Sequence, residues 1–232
     1  MNKNILGDAI EEMNKLQSNS VDLILTDLPY GTTRNKWDIV IPFDDLWSCF
    51  KRILKPSGKI VLTAAEPFSS VLITSNLDWF KYDLIWEKTV SSGQLNVKHM
   101  PLRNHEQILV FYNKSGTYNE QREIGEPYSI NRKPVQQSNY NTQTESSKVN
   151  DGFRHAKSVI KISNPRVKGG HPTQKPLELF ERLIKTYSNE NDLVLDCCAG
   201  SFVTAKACKN LNRHSICIEK NEEYYKKYSK EQ

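Results

Sequence analysis

The sequence predicts an α/β fold: a doubly wound, mostly parallel, Rossmann-like sheet with helices on both faces. Three observations predict it. Short apolar runs alternate with segments of helical period along most of the chain. The runs are too continuously apolar for strands with one wet face, so they read as buried on both sides. Acids stand where those runs end, at Asp8, Asp27, Asp196 and Glu219. In open parallel sheets that edge is where ligands bind.

The elements follow in order. Ile5–Leu6 is a short apolar edge ending at Gly7–Asp8, and Ala9, Ile10, Met13 and Leu16 then take helical spacing. Val21–Leu25 predicts a buried strand. Leu46, Trp47, Phe50, Ile53 and Leu54 share one helical face, which Pro56–Ser57–Gly58 should break. Lys59–Ala64, Tyr82–Trp86 and Gln107–Tyr112 are strand candidates, with a helix beginning near Phe68–Ile73. Pro176 suits a helix's first turn, and Leu177, Phe180, Leu183, Ile184 and Tyr187 supply its apolar face. Leu193–Leu195 then leads to Asp196, a small-residue turn at Ala199–Ser201, a further helix, and a strand at Ser215–Ile218.

The chain has 232 residues, 38% of them hydrophobic, with a formal charge of +5. Mean hydropathy is −0.62. No run approaches the ~20 apolar residues that span a bilayer, and no basic start precedes an apolar block. Five cysteines without scaffold spacing suit a reducing, cytoplasmic setting. None has C-x-x-C spacing, so no metal site is expected. Residues 113–170 hold ten basic and five acidic side chains, while the remainder is balanced. That segment is poor in aliphatics. It is either a solvated lysine-rich loop or a surface for a polyanion.

Two stretches carry chemistry. In "VLDCCAGSFVTA" a strand, an acid, a tight turn and a helix form a nucleotide-cradling arrangement. Glu219 is placed to accept ribose hydroxyls. There is no G-x-G-x-x-G, because Phe202 occupies the second glycine's place. In "TDLPYGTTRNKWD" Pro29 fixes its own φ and extends Leu28, so a carbonyl is held beside the Asp27 carboxylate. Two fixed acceptors and the flat face of Tyr30 suit the exocyclic amine of a nucleobase. A strand-end turn with a capping Asp and a core Tyr is the plainer account of the same residues.

Taken together these motifs resemble the S-adenosylmethionine-dependent DNA amino-methyltransferases. "DLPY" (Asp27–Tyr30) is similar to their D-P-P-Y motif and "DCCAGS" (Asp196–Ser201) to their cofactor motif. "GD" (Gly7–Asp8), "WEK" (Trp86–Lys88), "MPLRNHEQILVFY" (Met100–Tyr112), "HPTQKP" (His171–Pro176) and "ACKNLNR" (Ala207–Arg213) resemble further family segments. Catalytic motif first, recognition segment next and cofactor motif last is the circularly permuted order of the beta class. Glutamine methyltransferases, with a related N-P-P-Y, place the cofactor motif first.

The resemblance implies three parts: a catalytic half at 1–112, a target-recognition insert at 113–165 that orders on DNA, and a cofactor half at 166–232. It implies methyl transfer to N6 of a flipped-out adenine in double-stranded DNA, with cytosine N4 as the alternative base. It also favours a homodimer. Asp27 and the Leu28 carbonyl, aimed by Pro29, would hold the amine, and Tyr30 would stack on the base. Asp8, Lys175, Asp196, Cys198, Gly200, Ser201, Phe202 and Glu219 would surround the cofactor. Arg34, Lys88, Arg122, Arg132, Lys133, Arg154 and Lys157 would meet the DNA. Leu28, Cys198 and Phe202 depart from the family pattern. The last two raise a second expectation, of a degenerate DNA-binding homologue with impaired cofactor binding, unless Phe202 fills the volume that Cys198 vacates.

Overall fold

The apolar runs pair into an eight-stranded sheet in a computed structural model that describes residues 2–33, 35, 37–134, 144–164 and 173–230. The elements are β1 Asn2–Leu6, α1 Ala9–Asn14, β2 Val21–Asp27, α2 Phe43–Ile53, β3 Leu54–Ala64, α3 Phe68–Thr74, β4 Phe80–Ser92 and β5 Arg103–Phe111. Then come β6 Glu123–Ile124, β7 Tyr128–Arg132, β8 Ser146–Asn150, β9 Phe153–Arg154 and β10 Val159–Lys161. The chain closes with α4 Leu177–Tyr187, β11 Leu193–Asp196, α5 Val203–Asn210, β12 His214–Glu219 and α6 Glu222–Tyr228. No helix among the described residues is long and apolar enough to cross a membrane.

The sheet order is β1-β12-β11-β2-β3-β5-β4-β10, with β5 alone running against the rest. Side chains alternate across it, as the pleat requires. Ile24, Leu62, Leu109 and Leu195 face a core built with α1, α2 and α3. Leu23, Leu25, Val61, Ile108, Val110 and Val194 face a second core built with α4 and α5. With helices on both faces, no strand interior needs a polar side, which is why the runs read as unbroken.

The chain leaves β2 for β3 on one side and reaches β11 and β12 on the other, so β2 and β11 form the topological switch point. Leu195 pairs with Ile24 there. This puts Asp27 and Asp196, far apart in sequence, on adjacent strand ends.

Two boundaries differ from expectation. Helix α2 ends at Ile53, before Pro56, because Leu54 is already extended with ψ of 134°. The chain also rejoins the sheet earlier than residue 165: Val159–Lys161 pairs with β4, and Ile160 and Ile162 are buried in the second core. The described chain divides into one compact unit of 1–119 and 158–232 and another of 120–157.

The smaller unit holds two two-stranded sheets, β6–β9 and β7–β8. Arg154 organises it. Its guanidinium donates to Asn150 and to the Glu126 carbonyl and lies 4.6 Å from the Tyr128 ring centroid. The unit carries six basic and five acidic side chains, so most of the basic surplus lies on its flanks. The polar stretch 135–143 falls outside the described residues.

Candidate active site

A cavity of about 550 Å³ opens at the switch point, lined by residues from both motifs: Asp8, Asp27, Leu28 and Pro29 with Lys175, Asp196, Cys198, Gly200, Ser201 and Glu219. Trp37, Ile39, Val40, Ile41, Phe180 and Val203 give it apolar walls.

One half is built by α5's entry turn. Asp196 ends β11 and is 2% exposed. Its carboxylate accepts from Thr26 Oγ1 (2.8 Å), the Cys198 amide (3.1 Å) and Thr204 Oγ1. These bonds stitch β2, the turn and α5 together, so Asp196 shapes the turn. Gly200, at φ of 49°, turns its amide onto Glu219 Oε2 at 2.7 Å. Glu219 Oε1 accepts from the Asn221 amide (2.7 Å), the Lys220 amide also bonds the carboxylate, and acceptor capacity remains for a further donor. Burial holds the Glu219 carboxyl above its usual range. Asp8 caps α1 through Ile10 N (3.0 Å) and Glu11 N (3.4 Å) and pairs with Lys220 (3.0 Å). Burial raises its pKa, but Lys220 and these amides outweigh that and hold it low.

Phe202 is placed differently from expectation. Its ring does not line the cavity. It is 0% exposed and packs edge-on against Tyr225, centroids 6.0 Å apart, among Ala199, Ala205, Cys217 and Tyr228. Cys198 packs against a different cluster, the one around β2 and α1, so Phe202 does not fill its volume. The Phe202 backbone is left-handed, a region that favours glycine, with φ of 58° and ψ of 28°.

Burial pushes the Asp196 carboxyl up to about 6, against the hydrogen bonds from Thr204, Thr26 and Cys198 that favour its charge. A carboxyl raised above its unfolded value contributes stability below the unfolded pKa and loses it as pH rises through the folded one. Between pH 4.5 and 7, wild type should therefore lose roughly 2 kcal/mol relative to Asp196→Asn, which cannot titrate. Denaturant unfolding of both proteins across that range measures it. A stability difference independent of pH would contradict the assignment.

The other half is the carboxyl end of β2. Asp27 Oδ1 accepts from Tyr30 Oη (2.7 Å) and Thr63 Oγ1. Oδ2 accepts from Lys175 Nζ at 2.7 Å. Oδ1 is thus filled, and Oδ2 keeps one lone pair. Leu28 is buried at 4% exposure, in the first core. Tyr30 is half-buried rather than an exposed ring, stacked on Phe68 with centroids 5.0 Å apart. Burial, with Asp27 and Glu106 nearby, holds its hydroxyl protonated far above the usual range.

Lys175 lines the cavity. It is 6% exposed and bridges Asp27 to Glu106 (3.2 Å). Lys88, expected to meet DNA, is turned inward: its side chain is 8% exposed and its ammonium pairs with Glu106 at 2.8 Å. Of the other basic candidates, Arg122 is exposed and pairs with Glu120 (3.0 Å), Arg154 is engaged inside its unit, and Arg132, Lys133 and Lys157 are exposed. Arg34 and His171 lie outside the described residues.

Three site residues were not singled out from the sequence, although Glu106 and Asp38 lie inside quoted stretches. Thr63 and Glu106 reach Asp27 and Lys175 only through strand pairing. Asp38 accepts from the amides of Gly31 (2.8 Å), Thr32 (3.0 Å) and Thr33 (2.7 Å), and so folds the loop that follows the D-L-P-Y segment. Its signal was a short acid closing a Gly-Thr-Thr turn.

The chain matches the N6/N4 methyltransferase family, described as DNA methylase, over residues 21–231. It belongs to that family. The methylase is 32% identical to the type II methyltransferase M.HpaI of Haemophilus parainfluenzae, with 95% of this chain and 70% of that protein covered. It is 31% identical to the DNA adenine methyltransferase YhdJ of Escherichia coli K12, covering 96% and 79%. Among solved structures, the M1.HpyAVI–SAM complex aligns over 100% of the methylase and 99% of its own chain, with a TM-score of 0.66 at 21% identity. The cytosine-N4-specific PvuII DNA methyltransferase aligns over 95% and 82%, with a TM-score of 0.69 at 16% identity. The methylase therefore shares both the family and its mostly parallel sheet.

Proposed function

We propose that this methylase transfers a methyl group from S-adenosylmethionine to N6 of adenine in double-stranded DNA. The observation that carries the proposal is the pair of halves on one cavity, an acceptor set at Asp27–Pro29 facing a cofactor cradle at Asp8, Gly200 and Glu219. Asp27 at the motif's first position and the likeness to the adenine enzyme YhdJ favour adenine over cytosine N4. The cytoplasm is the matching compartment, and a homodimer the assembly that the resemblance favours.

The residues fit the cofactor. Glu219 retains acceptor capacity for a ribose hydroxyl, as does Asp8 beside it, and Ile10, Phe180 and Val203 give apolar wall for the remainder. The N-cap residue of α5, Phe202, makes no side-chain capping bond, and the helix's first turn lies beside Gly200 and Ser201. When bound, S-adenosylmethionine supplies an electrophilic methyl on a cationic sulfur. The burial of the Phe202 ring away from the cavity lining supports unobstructed cofactor binding.

The chain's own work is to prepare the amine. Its nitrogen is a poor nucleophile because the lone pair delocalises into the ring. The free lone pair of Asp27 Oδ2 and the Leu28 carbonyl each accept one N–H. That draws the nitrogen towards tetrahedral geometry and returns the lone pair to it. Tyr30, braced by Phe68, offers the base a ring, and the base must leave the duplex to reach it. Positioning and preorganised dipoles carry the rate, without a covalent enzyme intermediate.

Nucleoside mass spectrometry of DNA treated with the protein and S-adenosylmethionine tests this. N6-methyladenine is expected. N4-methylcytosine without N6-methyladenine would sink the choice of base, and no methylated base at all would sink the enzyme.

A further inference from the structure

Four charged side chains run inward from the face of β4 and β5 to the acceptor carboxylate, alternating in sign: Lys88, Glu106, Lys175 and Asp27. Lys88 Nζ lies 2.8 Å from Glu106 Oε1, Lys175 Nζ lies 3.2 Å from Glu106 Oε2, and Lys175 Nζ lies 2.7 Å from Asp27 Oδ2. The three outer side chains are 8%, 15% and 7% exposed. Glu106 stands opposite Trp86 on β4, and Ala64 of β3 pairs with Gln107, so the sheet itself sets the row. Buried ions are costly to desolvate, and hydrophobic residues of the same volume often serve stability as well. A row of four therefore asks for a purpose beyond stability.

The purpose follows from Asp27. One lone pair of Oδ2 is left for the amine, and Lys175 holds the other. An ammonium so close also faces the nitrogen on which positive charge develops during transfer, which is unfavourable. Glu106 is the group that offsets it. Burial alone would raise the Glu106 pKa, but Lys175 and Lys88 hold it low, so Glu106 is charged at neutral pH.

We propose that Glu106 is a positioning residue for methyl transfer: it anchors Lys175 on Asp27 and cancels the ammonium's charge at the reacting nitrogen. The proposal rests on the methyltransferase function above. It predicts that removing the Glu106 charge is harmful and that removing Lys88 with it is less so, because the second change restores neutrality.

The test compares wild type, Glu106→Gln and Glu106→Gln/Lys88→Met in steady-state methylation, with calorimetric titration of S-adenosylmethionine. Glu106→Gln should lower kcat by roughly 10- to 100-fold, the range that a misplaced reacting group costs. KM and calorimetric affinity for the cofactor should stay within about twofold, as expected when an interaction acts in the transition state alone. The double variant should recover at least about fivefold of the lost kcat, since close charges couple non-additively. A kcat within threefold of wild type for Glu106→Gln, or no recovery in the double variant, overturns the proposal. If Glu106→Gln fails to fold, Glu106→Asp keeps the charge but withdraws it by one methylene. It should lower kcat about tenfold, and undiminished kcat would overturn the proposal too. A wild type that methylates no DNA fails the functional assignment instead, so the two failures are separable.

Discussion

Asp27→Ala should abolish methyl transfer, lowering kcat by at least about 10³-fold, while S-adenosylmethionine still binds within about threefold of wild-type affinity. The size follows from what is lost. Asp27 Oδ2 is the fixed acceptor for one N–H of the amine, and without it the lone pair stays in the ring. Oδ1 orients Tyr30 and Thr63, so the same change releases the ring offered to the base. Cofactor binding should survive because its cradle is built elsewhere, from Glu219 on Gly200 and Asp8 on α1. Lys175 keeps Glu106 as a partner, so no buried cation is stranded. Single-turnover methylation beside calorimetry separates the two effects. Loss of cofactor binding together with activity would contradict the division of labour between the halves.

Phe202→Gly should destabilise the protein by about 2–3 kcal/mol and leave cofactor affinity within about threefold. Two effects oppose each other. The left-handed backbone at φ of 58° costs a non-glycine residue about 1–2 kcal/mol, which glycine would return. Truncating a fully buried phenylalanine costs about 3–5 kcal/mol, and this ring is 0% exposed against Tyr225 and Tyr228. The ring term wins. For a chain of this size the melting temperature should fall by roughly 5–10 °C. A variant that instead gains cofactor affinity tenfold would show that Phe202 obstructs the cradle.

Much of the fold was legible because its strands are short, apolar and bounded by acids or turns. Val21–Leu25 and Leu193–Leu195 announced themselves, as did the helical face from Leu177 to Tyr187. Local dihedral restriction also reads directly from sequence: Pro29 restrains Leu28 wherever the segment sits. The insert's far boundary was not legible. Val159–Lys161 is a three-residue strand whose identity comes from pairing with β4, and the brief apolar run of Val159, Ile160 and Ile162 is too short to mark a strand by itself. A lysine's charge is visible in sequence, but its partner is not: Lys88 pairs with Glu106, and Lys175, which lines the cavity, bridges Glu106 to Asp27.

By itself, then, the sequence determined most elements outside the 113–170 segment, their order, and the two motifs that a methyl-transfer site needs, since each depends on neighbours within a few residues. Tertiary structure alone decided which way side chains at those motifs turn and what they meet. It sent Phe202 into the core, braced Tyr30 on Phe68, folded a loop around Asp38, and brought Thr63, Glu106 and Lys175 to Asp27 from three distant segments. The physical reason is that burial and ion pairing depend on contacts across the sheet, and the strand order at the switch point creates those contacts.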